Sequence, residues 1–202
     1  MKKISAILIT HNEEEKIEQA LKSLRSVSDE IIIVDSHSTD STIAICHQYT
    51  DRVIKKSWEG YRAQKQFATE QATHDWILSL DADEMLSAEL KREILEWKNQ
   101  ASKFQSYRIA RKTFFMGRWI SHTTWYPDWQ LRLFAKSSGR WEGGRVHESF
   151  RTSETPGRLK GQLYHYTYSS FSEYLHQLEH FSALAAQDYL DSGKKVYWTH
   201  IG

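Results

Sequence analysis

Short apolar runs alternate with helix-spaced apolar residues through the first hundred positions, and no other feature narrows the fold as much. This alternation builds βαβ units around a largely parallel sheet. Ile4 to Ile9 is almost continuously apolar, as a strand covered on both faces must be. Ile17, Ala20, Leu21 and Leu24 then fall on one helical stripe. Glu30 to Val34 predicts a second strand, and Ser38, Thr39 and Asp40 offer caps for a helix carrying Ile43 and Cys46. A short third strand is expected at Arg52 to Lys56, a third helix at Tyr61 to Ala72, and a fourth strand at Trp76 to Leu80. Ser87 caps a further helix that turns Leu90, Ile94 and Trp97 inward, with Leu86 as its staple. Beyond it, Phe104 to Phe115, Gln130 to Phe134 and Val146 to Phe150 read as strands of a mixed sheet, interrupted by the loop Ser137 to Gly144. Phe171, Tyr174, Leu175, Leu178, Phe181 and Leu184 share one stripe of a long helix from Phe171 to about Leu190, which Gly193 would stop.

Lys and Arg (27) nearly balance Asp and Glu (26) over 202 residues, so the chain lacks the basic field that generic nucleic-acid binding needs. One cysteine, Cys46, excludes an internal disulfide framework and multi-cysteine zinc sites, which fits a reducing, cytoplasmic setting. The apolar run after Met1-Lys2-Lys3 is too short for an export signal, and no run of 18 apolar residues spans a bilayer. Membrane contact is therefore expected to be peripheral. Aromatic residues crowd between Tyr107 and Trp141, which suits stacking on sugar rings and suits an ordinary core equally well.

The fourth strand runs straight into Asp81-Ala82-Asp83-Glu84, and open α/β sheets bind ligands beyond the carboxyl ends of their strands. Two carboxylates aimed into one space repel unless a cation or a proton intervenes. Mg²⁺ or Mn²⁺ completed by phosphate oxygens is the usual remedy where a diphosphate binds. Thr10, Asn12 and Glu13 close the first strand, either to meet a nucleoside or to cap the acidic helix start. Asp35 either reads a nucleoside or opens the next turn. Gly60, Gln64 and Lys65 open the third helix, where a lysine and backbone amides can meet a base or a phosphate. Arg132 can neutralise a diphosphate or form a strand-edge ion pair, and His147 is a candidate metal ligand. His176 and His180 lie one helical turn apart without an evident third ligand, so a polar helix face is the better reading. Gly139 to Gly144 reads as a lid or as a hairpin turn.

The segments Ile7 to Glu13, Ile33 to Thr42 and Trp76 to Glu84 resemble, in order and spacing, the family 2 glycosyltransferases of the GT-A fold. Trp125 to Phe134 and Trp141 to Glu148 resemble the subgroup that includes lipopolysaccharide core β-1,4-glucosyltransferases. The resemblance implies an α/β GT-A domain over 1–165, with a nucleotide-binding half (1–100) and an acceptor half (101–165), followed by a helical segment over 166–202. It implies an inverting, metal-dependent transfer of a sugar, glucose by this likeness, from a UDP-sugar to a glycolipid or polysaccharide such as the lipopolysaccharide inner core, at the cytoplasmic face of the inner membrane. Thr10, Glu13, Asp35 and Lys65 are then expected to line the nucleotide pocket, and Asp81, Ala82, Asp83 and Arg132 to meet the diphosphate. Asp81, Asp83 and His147 are the expected ligands of Mn²⁺ or Mg²⁺, and Asp128 is the expected general base. The chain departs from the family at Asp35-Ser36, where many members have two aspartates, which weakens the case for uridine. The likeness also implies an apolar and basic membrane-facing continuation past the equivalent of Gly202, with Lys194 and Lys195 as the basic residues nearest that end.

Other classes make different demands. A sugar-nucleotide nucleotidyltransferase needs a glycine-rich basic loop after the first strand, where His11 to Glu15 is acidic. A dinucleotide-binding dehydrogenase needs Gly-x-Gly-x-x-Gly, which follows no early strand. A non-catalytic carbohydrate-binding module has no use for Asp81, Asp83 and Asp128.

Overall fold

The computed structural model describes residues 1–122, 125–145, 148–168 and 170–191. The first half alternates as β1 (Ile4–Thr10), α1 (Ile17–Leu24), β2 (Glu30–Asp35), α2 (Thr42–Cys46), β3 (Val53–Lys55), α3 (Tyr61–Gln71), β4 (Trp76–Ser79), β5 (Glu84–Leu86) and α4 (Ala88–Lys98). The second half adds β6 (Ser106–Phe115), β7 (Arg118–Trp119), β8 (Asp128–Ala135), β9 (Gly139–Glu142), β10 (Ser149–Thr152), β11 (Gly157–Tyr168) and α5 (Phe171–Asp191). Among the described residues one sheet runs β3-β2-β1-β4-β8-β6-β11-β5, with β7 paired to β6, while β9 and β10 form a separate hairpin. β1, β2, β3 and β4 are mutually parallel. β8 joins antiparallel to β4 and β6, and β11 returns parallel to β6.

The unbroken apolar character of β1 follows from its place inside the sheet. Ile4, Ala6 and Leu8 enter a core with α1 and α4, including Leu21, Leu24, Leu90 and Ile94, whereas Ile7 enters a second core with Ala68 of α3, Phe134 and Trp141. A strand buried on both faces has no polar alternation to show. The β9–β10 hairpin closes the second core, where Phe150 stacks on Phe134 at 3.7 Å between ring centroids. The indole N–H of Trp141 donates to Thr69 Oγ1 at 3.0 Å. The sequence from Ser137 to Gly144 is thus not one open loop, since Gly139–Glu142 is strand.

Ser87 caps α4 as its type predicts, its hydroxyl accepting from the Leu90 amide at 3.1 Å. Four strands escape the sequence pattern: β5, the two-residue β7, β9 and β11. β5 has three residues, too few for periodicity. β11 has twelve, but Gly157, Gly161 and the charged Arg158 and Lys160 break its apolar rhythm. Gly161 has a steric reason: a Cβ there would stand 2.4 Å from the Leu90 Cα, so β11 and α4 meet backbone to backbone. The apolar stripe of α5 also differs from an inward-facing one. No residue of α5 is buried, and Phe171, Leu175 and Leu178 are exposed. Polar contacts fasten the helix, with Lys16 to Glu173 at 3.1 Å and Arg145 to Asp188 at 2.9 Å, beside the edge-on packing of Tyr174 against Phe115 and Tyr168. Gly193 lies outside the described residues.

Gly161→Ala is expected to force α4 away from β11 and to lower stability by about 1–3 kcal/mol. Urea unfolding would show this as a fall in the midpoint with an unchanged slope.

Candidate active site

β4 ends at Ser79, and the Leu80 amide adds one more ladder bond to Ile7 at 3.1 Å before the chain turns. The turn holds Asp81, Ala82 and Asp83 at the mouth of the sheet and is closed by the Glu84 amide donating to the Asp81 carbonyl at 3.0 Å. β5 then pairs antiparallel with β11, so the turn is anchored on both sides. A cleft of about 640 Å³ opens above it, lined among others by Glu13, Lys65, Asp81, Ala82, Asp83, Arg111, Arg132 and His165. An adjoining cavity of about 710 Å³ is lined by Thr10, Ser36, Trp58, Gly60 and Tyr61, and it shares Ile9 and Glu13 with the first.

Charge in the cleft is organised around Asp81. Lys65 Nζ lies 2.8 Å from Asp81 Oδ1, and a terminal nitrogen of Arg132 lies 2.5 Å from Oδ2. Burial opposes the carboxylate, but the Arg132 guanidinium and the Lys65 ammonium hold its proton affinity far below the usual carboxylate range. The same Arg132 nitrogen is 2.7 Å from Glu84 Oε1, and Arg132 binds its proton more tightly than usual because Asp81 and Glu84 outweigh its burial. Glu84 also receives Arg111 at 3.3 Å. Arg111 in turn contacts Asp128 Oδ2 at 2.7 Å, and the Gln130 amide donates to Asp128 Oδ1 at 2.7 Å. An unbroken chain of polar contacts thus runs from Lys65 through Asp81, Arg132, Glu84 and Arg111 to Asp128.

Asp83 stands apart from that chain. Its Oδ2 lies 3.1 Å from His165 Nε2, and no lysine or arginine reaches it among the described residues. Glu13 faces the same space. Burial, followed by the negative charge of Asp83, raises the Glu13 pKa from 4.5 to about 7. Among the described residues, no three His, Cys, Asp or Glu side chains close on a single point as a complete metal cage.

Thr10 and Asp35 are register partners at the ends of β1 and β2, and the Thr10 hydroxyl donates to Asp35 Oδ2 at 3.0 Å. The Ser38 amide donates to Oδ1 of Asp35 at 2.8 Å and its hydroxyl to Oδ2 at 2.5 Å, and Asp35 is fully buried. Ser36, the departure from the family pattern, lines the cavity instead and accepts from Gln64 Nε2 at 2.9 Å. The structure therefore brings Glu13, Lys65, Asp81, Ala82, Asp83 and Arg132 into one cleft, with Asp128 tied to them through Arg111, whereas Thr10 faces the neighbouring cavity. His147 lies outside the described residues. His176 and His180 are exposed on α5 and belong to no metal-holding group among the described residues.

Glu84, Arg111, Glu148 and His165 also belong to these contacts, beyond the residues expected from the sequence. Arg111 was legible in principle, because it continues the spacing of the buried residues Tyr107 and Ile109, and a charge at a core-facing position demands a partner. Glu148 holds Lys65 at 2.7 Å from a loop that no periodicity reveals. His165 belongs to β11, which was not visible as a strand.

A parallel α/β sheet that gathers carboxylates, a lysine and an arginine beyond its strand ends has the architecture of a nucleotide-sugar transferase of the GT-A class. Residues 5–152 match the family described as glycosyl transferase family 2, and the chain belongs to that family. It is 33% identical over 206 residues to an uncharacterized glycosyltransferase of Rickettsia typhi, covering 96% of this chain and 70% of the relative. It is 32% identical over 199 residues to the lipopolysaccharide core biosynthesis glycosyltransferase LpsC of Rhizobium meliloti, covering 95% of this chain and 73% of the relative. In fold it is similar to S. aureus TarS 1-349 crystallised with UDP-GlcNAc, at a TM-score of 0.58 and 17% identity, covering 85% of this chain and 60% of that one. Among the described residues no helix is long and apolar enough to cross a membrane.

Glu13 holds its proton to higher pH in the fold than in the unfolded chain, so its contribution favours the fold increasingly as pH falls from above 7 toward 4.5. Glu13→Gln is therefore expected to stabilise the protein at pH 8 by about 1–2 kcal/mol and to leave it nearly unchanged near pH 4. Melting curves at both pH values read this directly, and equal shifts at the two would contradict it.

Proposed function

We propose that the chain transfers glucose from UDP-glucose to a sugar hydroxyl of a glycolipid, with inversion at the anomeric carbon and with the lipopolysaccharide inner core as acceptor. The observation that carries this reading is the polar chain from Lys65 to Asp128, which links residues suited to a diphosphate with a carboxylate suited to an acceptor hydroxyl. The donor sugar and the acceptor rest on the likeness to the lipopolysaccharide core enzymes.

In this reading the nucleoside occupies the cavity beside Thr10 and Ser36, and Asp35 supports its wall by holding Thr10 and Ser38. Lys65 and Arg132 are the cations that meet the diphosphate, turning toward it from Asp81, with the Asp81-Ala82-Asp83 backbone alongside. Glu13 and Asp83 face one space, where burial and the charge of Asp83 raise the proton affinity of Glu13 and Lys16 offsets this only in part, a setting that suits a divalent ion. Asp83 and Asp81 would hold Mg²⁺ or Mn²⁺, with His147 as a third candidate, and diphosphate oxygens and water would complete the coordination. When bound, the ion neutralises charge that develops on the departing diphosphate. Asp128 takes the proton of the acceptor hydroxyl as that oxygen bonds to the anomeric carbon. The bond from that carbon to the diphosphate oxygen breaks, and its electron pair leaves with UDP. A single displacement from the opposite face inverts the configuration.

Isothermal calorimetry with UDP and Mn²⁺ is expected to show metal-dependent binding that Asp83→Ala weakens by tenfold or more, an effect of about 1.4 kcal/mol. Asp128→Asn is expected to keep that binding and to lose about 10²–10⁴-fold in turnover. UDP that binds equally well with and without the cation would contradict the scheme.

A further inference from the structure

We infer that Arg111 is a positioning residue that fixes the orientation of Asp128, and that the buried Glu84 fixes Arg111 in turn. The inference rests on the role proposed for Asp128. Arg111 and Asp128 are register partners on the antiparallel strands β6 and β8. Nε of Arg111 donates to Asp128 Oδ2 at 2.9 Å, and a terminal nitrogen of the same guanidinium is 2.7 Å from that oxygen. The Gln130 amide fixes the other oxygen, so both ends of the carboxylate are held while Oδ1 keeps acceptor capacity for an incoming hydroxyl.

Arg111 is itself anchored from behind. Its remaining terminal nitrogen reaches Glu84 Oε1 at 3.3 Å, and the Glu84 side chain is sealed from solvent. Glu84 also holds Arg132 through Oε1 and accepts the Asp81 amide through Oε2 at 3.1 Å. One sealed carboxylate therefore sets the positions of two guanidiniums, one beside the proposed base and one beside Asp81. Only a planar guanidinium can serve Asp128 with two nitrogens and Glu84 with the third; an ammonium at the same position cannot span both. During transfer the hydroxyl proton passes to Asp128 and Arg111 keeps its own protons, so Arg111 acts through Asp128 and not on the substrate.

The test is a double-mutant cycle of Arg111→Lys and Asp128→Asn, read as UDP release from UDP-glucose with Mn²⁺ and water as acceptor, with UDP binding measured by calorimetry. Arg111→Lys is expected to lower kcat by about 10–100-fold, the usual cost of misplacing a reacting group by an ångström. Its KM and its affinity for UDP should stay within about twofold of the parent. Asp128→Asn combined with Arg111→Lys should be no slower than Asp128→Asn alone, because a base that is absent needs no orienting. A double variant whose loss is the product of the two single losses overturns the inference, since Arg111 then acts independently of Asp128. If Arg111→Lys melts below the assay temperature, Arg111→Met takes its place in the cycle with the same criteria. Asp128→Asn turning over as fast as the parent overturns the base assignment itself, an outcome distinct from additivity. A parent that releases no UDP sinks the donor reading and this inference together.

Discussion

The site depends on burying a carboxylate and a guanidinium together at the end of a strand. Arg132 and the Glu84 side chain are almost wholly removed from water, and neither would tolerate that alone. Each makes the other's burial possible, and Asp81 joins them from the rim of the cleft. Removing one member of such a group leaves an uncompensated charge inside the protein, so the group behaves as a unit. The β4–β5 turn, the middle of β8 and the cleft end of β6 are held in mutual register by these side chains as well as by the sheet ladder.

Negative charge in the cleft is divided unevenly, and the division has chemical meaning. Asp81 is in contact with two cations, whereas Asp83, among the described residues, touches a histidine and feels Lys16 at longer range, and Glu13 keeps its proton to near neutrality. A site saturated with fixed cations would bind a diphosphate without help and release it slowly. Under the proposed reading, the less fully paired Asp83 and Glu13 leave room for a mobile cation that arrives and leaves with the diphosphate.

The parallel half of the fold was legible because its physics is local. Apolar runs on strands buried on both faces, the helical stripe of α1 and the Ser87 cap each announce themselves within a few residues. The Asp81-Ala82-Asp83 turn was legible for the same reason, since it follows directly on a strand. The second half was read less well because its strands answer to distant partners. β11 carries glycine where α4 crosses it and histidine where it faces the cleft, so its composition records those contacts and not its own conformation. Glu84 was hidden in plain view. It reads as one more acidic residue in a polar turn, and only the antiparallel pairing of β5 with β11 turns it inward.

That pairing has a consequence for how the protein comes into being. β5 is the edge of the sheet and its ladder neighbour is β11, so the turn bearing Asp81 and Asp83 is braced by a strand made long after it. During synthesis the acidic turn must leave the ribosome well before its brace, and until residues 157–168 arrive its carboxylates lack the wall that sets their spacing. The geometry of that turn is therefore completed late in synthesis, when β11 slots between β6 and β5.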